Sequence, residues 1–241
     1  MRKKTFYEAY VKRILDICCA VAAIAVFWWL YLIIAILVKV KLGSPVIFKQ
    51  QRPGLNEKIF SLYKFRSMTD ERDLEGNLLP DEIRLTKFGK WLRSTSLDEL
   101  PETFNILNGS MSLIGPRPQL VRDILFMTYE QRLRHTVKPG LSGLAQVNGR
   151  NDISWEEKLN WDLKYLEHIS FLSDVKIILQ TVIKAFVKKE GITDGDMATA
   201  YDYGVWLLKK GKVTKEEYEK KQEEAKSLLK KARNLRDMPV A

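Results

Sequence analysis

Only two cysteines occur in the 241 residues, Cys18 and Cys19, and they are neighbours inside an apolar run where they read as small hydrophobes. Such a pair builds no disulfide framework, which excludes a stapled secreted module and fits a reducing compartment. Histidine is equally sparse: His135 and His168 have no ligand-like spacing and read as structural. Neither a Walker A loop nor a Gly-x-Gly-x-x-Gly fingerprint is present, so any nucleotide would be held by side-chain cations and a metal. Internal repeats and low-complexity tracts are absent as well. Acid is under-represented: 30 Asp and Glu against 40 Lys and Arg leave a formal charge of +10. The natural partners are therefore anionic, whether nucleic acid, a lipid surface or phosphorylated substrates.

Proline, glycine and charge are all missing from residues 17–38 (ICCAVAAIAVFWWLYLIIAILV). At the helical rise that run is long enough to cross a bilayer core of roughly 30 Å, and it reads as a membrane segment. Its length, and the lack of a small-residue cleavage site after it, argue against a signal peptide. Arg2, Lys3, Lys4, Lys12 and Arg13 precede the run, while Lys39, Lys41, Lys49 and Arg52 follow it, so the positive-inside rule does not choose an orientation. A straight span sends one basic flank across the membrane. A re-entrant hairpin returns both to the cytoplasm. The unbroken run favours the span and the flanks favour the hairpin, and the flanks are given more weight. Trp28, Trp29 and Tyr31 fall at mid-run, although aromatics prefer the interface.

The rest of the chain, at 46% apolar overall, has room for one ample core. Val46–Gln50 and Lys58–Arg66 read as two strands of a hairpin, with turns at Gly43-Ser44-Pro45 and Arg52-Pro53-Gly54. Strand alternation would put Lys64 and Arg66 on one face. Residues 69–81 are acidic and turn-rich and read as a loop. Ile83–Arg93 spaces Leu85, Phe88, Trp91 and Leu92 as a basic amphipathic helix suited to the headgroup layer. A helix over Thr103–Leu107 ends at Asn108-Gly109. Asn151–Leu166 reads as an amphipathic helix, and Ser170–Phe186 as a buried or membrane-apposed one carrying Asp174 as its lone acid. Beyond Gly191 the chain turns into a charged helical appendage, with helices over Ala198–Lys210 and Thr214–Arg233, a Thr-x-x-Glu box at Thr214, and Glu216–Lys220 and Glu217–Lys221 pairs.

Three stretches carry chemistry. In Arg93-Ser94-Thr95-Ser96-Leu97-Asp98-Glu99-Leu100-Pro101-Glu102, Ser96 and Glu99 fit a capping box, or Asp98 caps a helix with Pro101 in its first turn. Either arrangement puts Asp98 at the positive end of a helix, where an ionised carboxylate suited to attack or to a metal is favoured. Gly115-Pro116-Arg117-Pro118 carries an arginine on a proline-stiffened loop, and a preorganised guanidinium binds phosphate oxygens bidentately. Residues 134–150 read as a loop dense in donors that closes on Arg150. A plain helix cap and an ornamental arginine are the bland alternatives for the first two.

Taken in order, Lys-Arg-Ile-Leu-Asp, the apolar segment, Gln-Gln-Arg-Pro-Gly, Tyr-Lys-Phe-Arg-Ser-Met, Arg-Ser-Thr-Ser-Leu-Asp-Glu-Leu-Pro, Gly-Pro-Arg-Pro and Val-Lys-Pro-Gly-Leu-Ser-Gly-Leu-Ala-Gln-Val-Asn-Gly-Arg resemble the bacterial sugar transferases. These are small monotopic polyprenyl-phosphate phosphoglycosyltransferases, and the likeness covers roughly residues 10–188. It implies transfer of a phospho-sugar from a UDP-sugar to undecaprenyl phosphate at the inner face of the bacterial plasma membrane, with Mg²⁺ as cofactor. Membrane lipids and downstream glycosyltransferases would be further partners. The resemblance makes Asp98 and Glu99 the catalytic and metal-binding dyad, and Lys64, Arg93, Arg117, Arg150 and Asp174 candidate substrate contacts. In this sequence Trp28-Trp29 stands where members usually have Ser-Pro. The expected fold is α+β and predominantly helical: a re-entrant membrane helix (1–40), then a cytoplasmic catalytic domain (41–190) with a small β-hairpin and amphipathic interfacial helices, then a helical appendage (191–241). A nucleic-acid binder would need aromatics interleaved with the basic residues, which this sequence lacks. A non-enzymatic envelope assembly factor is told apart by whether UMP is released.

Overall fold

The computed structural model describes residues 4–149, 153–184 and 201–237, so Arg150, the start of the Ala198–Lys210 helix and residues 185–186 lie outside the described part. A turn of π-helix at Tyr7–Val11 leads into α1 (Lys12–Leu42), which runs unbroken through Trp28 and Trp29 until Gly43 turns the chain at φ 84°. Absence of Pro and Gly accounts for that continuity. Its 31 residues correspond to about 46 Å of straight helix.

Both flanks of α1 pack on the same domain. Near its start, Asp16 accepts hydrogen bonds from Ser112 Oγ and the Leu113 N–H, and Ala20 joins Leu62, Ile106 and Met111. Near its end, Ile34, Val38 and Leu42 close over Phe65 and Leu92. Complete burial of each such aliphatic side chain contributes about 1.5–3 kcal/mol. Between these flanks, Val21, Val26, Phe27, Trp28 and Trp29 are exposed.

β1 (Ile47–Pro53) and β2 (Ile59–Phe65) form the expected antiparallel hairpin, in register from Ile47 opposite Phe65 to Pro53 opposite Ile59. Pro53 is thus the last residue of the strand, and the turn lies beyond it at Leu55–Glu57. Arg66 follows β2 and does not share the Lys64 environment; it turns back to the carbonyls of Ser44 and Met68.

The amphipathic helix expected over Ile83–Arg93 is two helices, α2 (Asp81–Arg84) and α3 (Lys87–Ser94). Thr86 breaks the run because its side chain caps α3, accepting from the Gly89 N–H at 3.1 Å. Leu85 and Leu92 face the core, while Ile83 and Trp91 are exposed. Next come α4 (Glu102–Leu107) and β3 (Ser112–Ile114), then α5 (Val121–Ile124) and α6 (Tyr129–Arg132). The stretch read as a loop after His135 contains a strand, β4 (Gly140–Ser142), parallel to β3, and a helical turn, α7 (Leu144–Val147).

Ser154 opens α8 (Trp155–Glu167) with a capping box to Glu157, and Ser170 caps α9 (Phe171–Val182). Phe171, Leu172, Leu179 and Val182 of α9 are exposed, so this helix is not buried. The appendage is α10 (Tyr203–Lys209) and α11 (Lys215–Asp237). It lies on α5 and α8: Phe126, Trp155, Leu159, Tyr203 and Leu207 share one cluster, and Asp202 pairs with Arg122 at 2.8 Å. Thr214 caps α11 through the Glu217 N–H, and Glu217 pairs with Lys221 at 2.8 Å. The expected Glu216–Lys220 pair is absent among the described residues.

Candidate active site

Ahead of α4, residues Leu97–Glu99 make a tight 3-10 turn and Pro101 takes the N-cap position. The expected Ser96–Glu99 capping box does not form. Ser96 adopts a left-handed φ of 55° without a side-chain cap bond, and the Glu99 N–H is satisfied by the Ser96 carbonyl at 3.1 Å. Asp98 is not a cap either; it lies one turn before the helix and is 7% exposed.

The Glu99 side chain goes inward because two cations hold it. Lys64 from β2 reaches it at 2.7 Å and also lies 3.2 Å from Glu102, on the first turn of α4. Arg117 spreads its two terminal nitrogens over both Glu99 oxygens. These three ion pairs engage Glu99 and Glu102, and none involves Asp98.

Arg117 is held from behind. Arg134 Nη2 donates to the Arg117 carbonyl at 2.6 Å and Arg52 Nη1 to the Pro118 carbonyl at 3.2 Å. Arg134 is itself fixed by Asp162 at 2.7 Å, both residues about 2% exposed. Glycine is required where the two backbones meet. A Cβ on Gly140 would sit 2.1 Å from the Gly115 nitrogen, and one on Gly143 would sit 2.2 Å from the Gly115 oxygen. The glycines of Pro-Gly-Leu-Ser-Gly therefore let β4 lie directly under the Arg117 loop, which corrects their reading as a donor-rich loop.

Burial pushes the Asp98 carboxyl up to about 6, and the neighbouring Glu99 charge adds to the shift. Desolvation thus outweighs the helix-end effect expected to favour ionisation. Burial also raises Glu102 to about 7, again with Glu99 contributing. Glu99 goes the other way: burial opposes its charge, but Arg117 and Lys64 hold it well below the usual carboxylate range. Lys64 stays charged for the reciprocal reason, since Glu99 and Glu102 outweigh its burial.

Arg93 ends α3 with Nε on Ser67 Oγ at 2.9 Å, near enough for its charge to favour the Asp98 carboxylate. Asp174 is elsewhere. It accepts from Tyr7 and Tyr165 hydroxyls, each at 2.8 Å, and pairs with Lys12, so it ties the start of the chain to α9. Glu102 was missed by sequence reasoning although it belongs to the same Leu-Asp-Glu-Leu-Pro-Glu stretch, three residues after Glu99. Arg52, in Gln-Gln-Arg-Pro-Gly, reads in the sequence as a flanking charge and a turn residue, with no part in holding Arg117.

Among the described residues no three His, Cys, Asp or Glu side chains converge as a metal cage. Glu99 has both oxygens engaged by cations, which leaves Asp98 as the carboxylate open to a metal. That donor set fits a hard cation that takes one or two carboxylates and completes its shell with substrate phosphate oxygens and water.

Compared with known proteins, residues 7–188 match the family model for the bacterial sugar transferases. The chain belongs to that family. An uncharacterized sugar transferase, EpsL, of Bacillus subtilis (strain 168) is 50% identical over 79% of this chain and 94% of its own length. The UDP-glucose:undecaprenyl-phosphate glucose-1-phosphate transferase of Klebsiella pneumoniae is 42% identical over 74% of this chain. The UDP-N-acetylgalactosamine-undecaprenyl-phosphate N-acetylgalactosaminephosphotransferase of Aeromonas hydrophila is 39% identical over 72%. The matched part is 40% of the Klebsiella protein and 43% of the Aeromonas one. In this sugar transferase, α10 and α11 lie beyond the family match.

Proposed function

We propose that this sugar transferase moves a phospho-sugar from a UDP-sugar to undecaprenyl phosphate, giving undecaprenyl-diphosphate-sugar and UMP, as the first membrane step of an exopolysaccharide or capsule pathway. The observation that carries the proposal is Asp98: a buried carboxylate without a share in the Lys64 and Arg117 ion pairs, beside a Glu99 that those cations hold fixed. An Asp98 oxygen attacks the sugar-bearing phosphorus, the bond from that phosphorus to the UMP oxygen breaks, and an aspartyl phospho-sugar remains. An oxygen of undecaprenyl phosphate then attacks the same phosphorus and displaces Asp98 as a carboxylate. Arg117, Lys64 and Arg93 offset the charge of two phosphates meeting a carboxylate, in a site where burial strengthens each interaction. Glu102, raised to about 7, can hold or release a proton within this cluster. Asp98, with Glu99 behind it, would hold Mg²⁺, which supplies charge neutralisation on the diphosphate when bound.

The re-entrant topology belongs to the same proposal. It is supported by two flanks of α1 that dock on one domain and by the exposed apolar residues between them. A bilayer-crossing α1 would carry one of those docked flanks to the far side. A single cysteine placed at Thr5, with Cys18 and Cys19 replaced, tests this in intact cells. Protection from a membrane-impermeant maleimide until lysis is expected, and labelling from the periplasmic side would establish a span.

For the chemistry, the full chain is supplied with a panel of UDP-sugars and undecaprenyl phosphate while UMP is measured. Asp98→Asn should bind UDP-sugar yet release no UMP. Intact-protein mass spectrometry with UDP-sugar alone should find a phospho-sugar adduct on the wild type and none on the variant. Full activity in Asp98→Asn would sink the covalent route.

A further inference from the structure

A charged cavity of about 210 Å³ opens where α1 begins. Its wall carries four cations, Lys4, Lys12, Arg13 and Lys138, against two acids, Glu8 and Asp16. One end of α4 bears the Asp98 cluster; the other end faces this cavity, since Arg13 donates to the Ile106 and Leu107 carbonyls. Much of the charge here is already spent. Lys12 is paired with Asp174, and Asp16 Oδ1 is taken by Ser112 and Leu113. Lys4 and Lys138 have no ion pair or hydrogen-bonded side-chain partner among the described residues.

The cations also converge. A Cβ built on Gly109 would lie 3.3 Å from Arg13 Nη2 and 3.5 Å from Lys138 Nζ, so both groups face the space over that glycine. Gathering like charges at a concave wall is unfavourable until an anion is placed among them. The strain is visible at Lys138, whose ammonium is pulled down by burial and then by Arg13. Depth selects the anion. Immediately beyond Arg13, α1 exposes Ile14, Ile17 and Val21, so the cavity mouth sits where an apolar helix meets the headgroup layer.

We propose that Lys138, Lys4 and Arg13 form a seat for the phosphate of an anionic phospholipid, at the opposite end of α4 from Asp98. The inference rests on α1 lying in lipid and does not depend on the catalytic reading. Inorganic phosphate and undecaprenyl phosphate share the chemistry and serve as competing probes.

The test is native mass spectrometry of the full chain released from mixed micelles containing phosphatidylglycerol and phosphatidylcholine, with UMP release measured on the same samples. Wild type should retain phosphatidylglycerol preferentially. Lys138→Glu should cut that preference about tenfold, and Lys138→Ala by a smaller factor, with melting temperature unchanged because Lys138 holds no other element. Lys210→Ala, an exposed control at the end of α10, should leave the preference intact. An unchanged preference in Lys138→Glu would overturn the seat, and so would an equal loss in Lys210→Ala. Displacement of the lipid by millimolar inorganic phosphate, or retention of undecaprenyl phosphate in place of phosphatidylglycerol, would overturn the phospholipid assignment.

Discussion

Two clusters of buried charge flank the Arg117 loop, and they are built to opposite rules. Arg134 and Asp162 form a matched pair at 2.7 Å, closed to solvent, one cation to one carboxylate. Asp98, Glu99 and Glu102 crowd three carboxylates around Lys64 and Arg117, and the mismatch spreads their proton affinities apart. A matched pair fixes a backbone, its buried Asp162 carboxyl raised by burial but opposed by the Arg134 charge. A mismatched cluster leaves one carboxylate whose charge is not cancelled by a neighbour, and that one can react.

Breaking the closed pair should produce the largest effect. Arg134→Met leaves Asp162 buried without its cation and should cost about 3–5 kcal/mol in urea unfolding, whereas the double variant Arg134→Met/Asp162→Leu should recover most of the loss. A single-variant cost under about 1 kcal/mol would end the distinction between the clusters.

In the open cluster, Arg117→Lys keeps the charge and loses the two-nitrogen grip on Glu99. A fall of about 10- to 100-fold in kcat/KM for UMP release, about 1.4–2.7 kcal/mol, is expected with folding intact. Near wild-type rates would reduce Arg117 to a simple cation.

Proton dependence separates the clusters further. On the proposed covalent route Asp98, its carboxyl pushed up to about 6, loses its attacking charge as pH falls through that value, so turnover should drop on the acid side. Its effect on stability has the opposite sign. The native state holds this proton more tightly than the unfolded chain, so the wild type loses stability as pH rises from about 4 to 6. Asp98→Asn should therefore gain melting temperature over wild type above pH 6, and the gain should fade towards pH 4. A constant difference across that range would mean the burial argument is wrong.

The smallest effect belongs to Glu102→Gln. Because burial raises Glu102 to about 7, the two proteins should have equal urea midpoints near pH 4, where native and unfolded wild type both hold the proton. As pH rises from about 4 to 7 the unfolded wild type ionises first, so the variant should come to lead progressively and hold that lead at pH 7. Equal midpoints at both pH values would show that Glu102 does not titrate in this range.

Local signals carried much of this architecture. The apolar run, the hairpin alternation and the Thr214 box each report on a few neighbouring residues, and each appears in the structure at about its expected place. Lys64, Glu99 and Arg117, expected from motifs, do meet. What escaped depends on long-range partners: Asp16 on residues almost a hundred positions away, Arg134 on Asp162, and β4 on β3 through glycines that touch only after folding. Ser96–Glu99 matched a common local pattern, and two distant cations overrode it. Asp174, carried by resemblance into the substrate site, instead joins Tyr7, Lys12 and Tyr165.

The docking of α1 has a practical consequence for anyone wanting a water-soluble version of this enzyme. Residues 1–40 look like a handle that could be cut away. Removing them would strip one wall from two apolar clusters, uncovering Phe65 and Leu92 at one end and Leu62, Ile106 and Met111 at the other, and would release the carbonyls that end α4. A shortened chain would thus be an aggregating one. Solubility is better sought by replacing the outward residues Val26, Phe27, Trp28 and Trp29 with polar ones, leaving the inward face of the helix untouched.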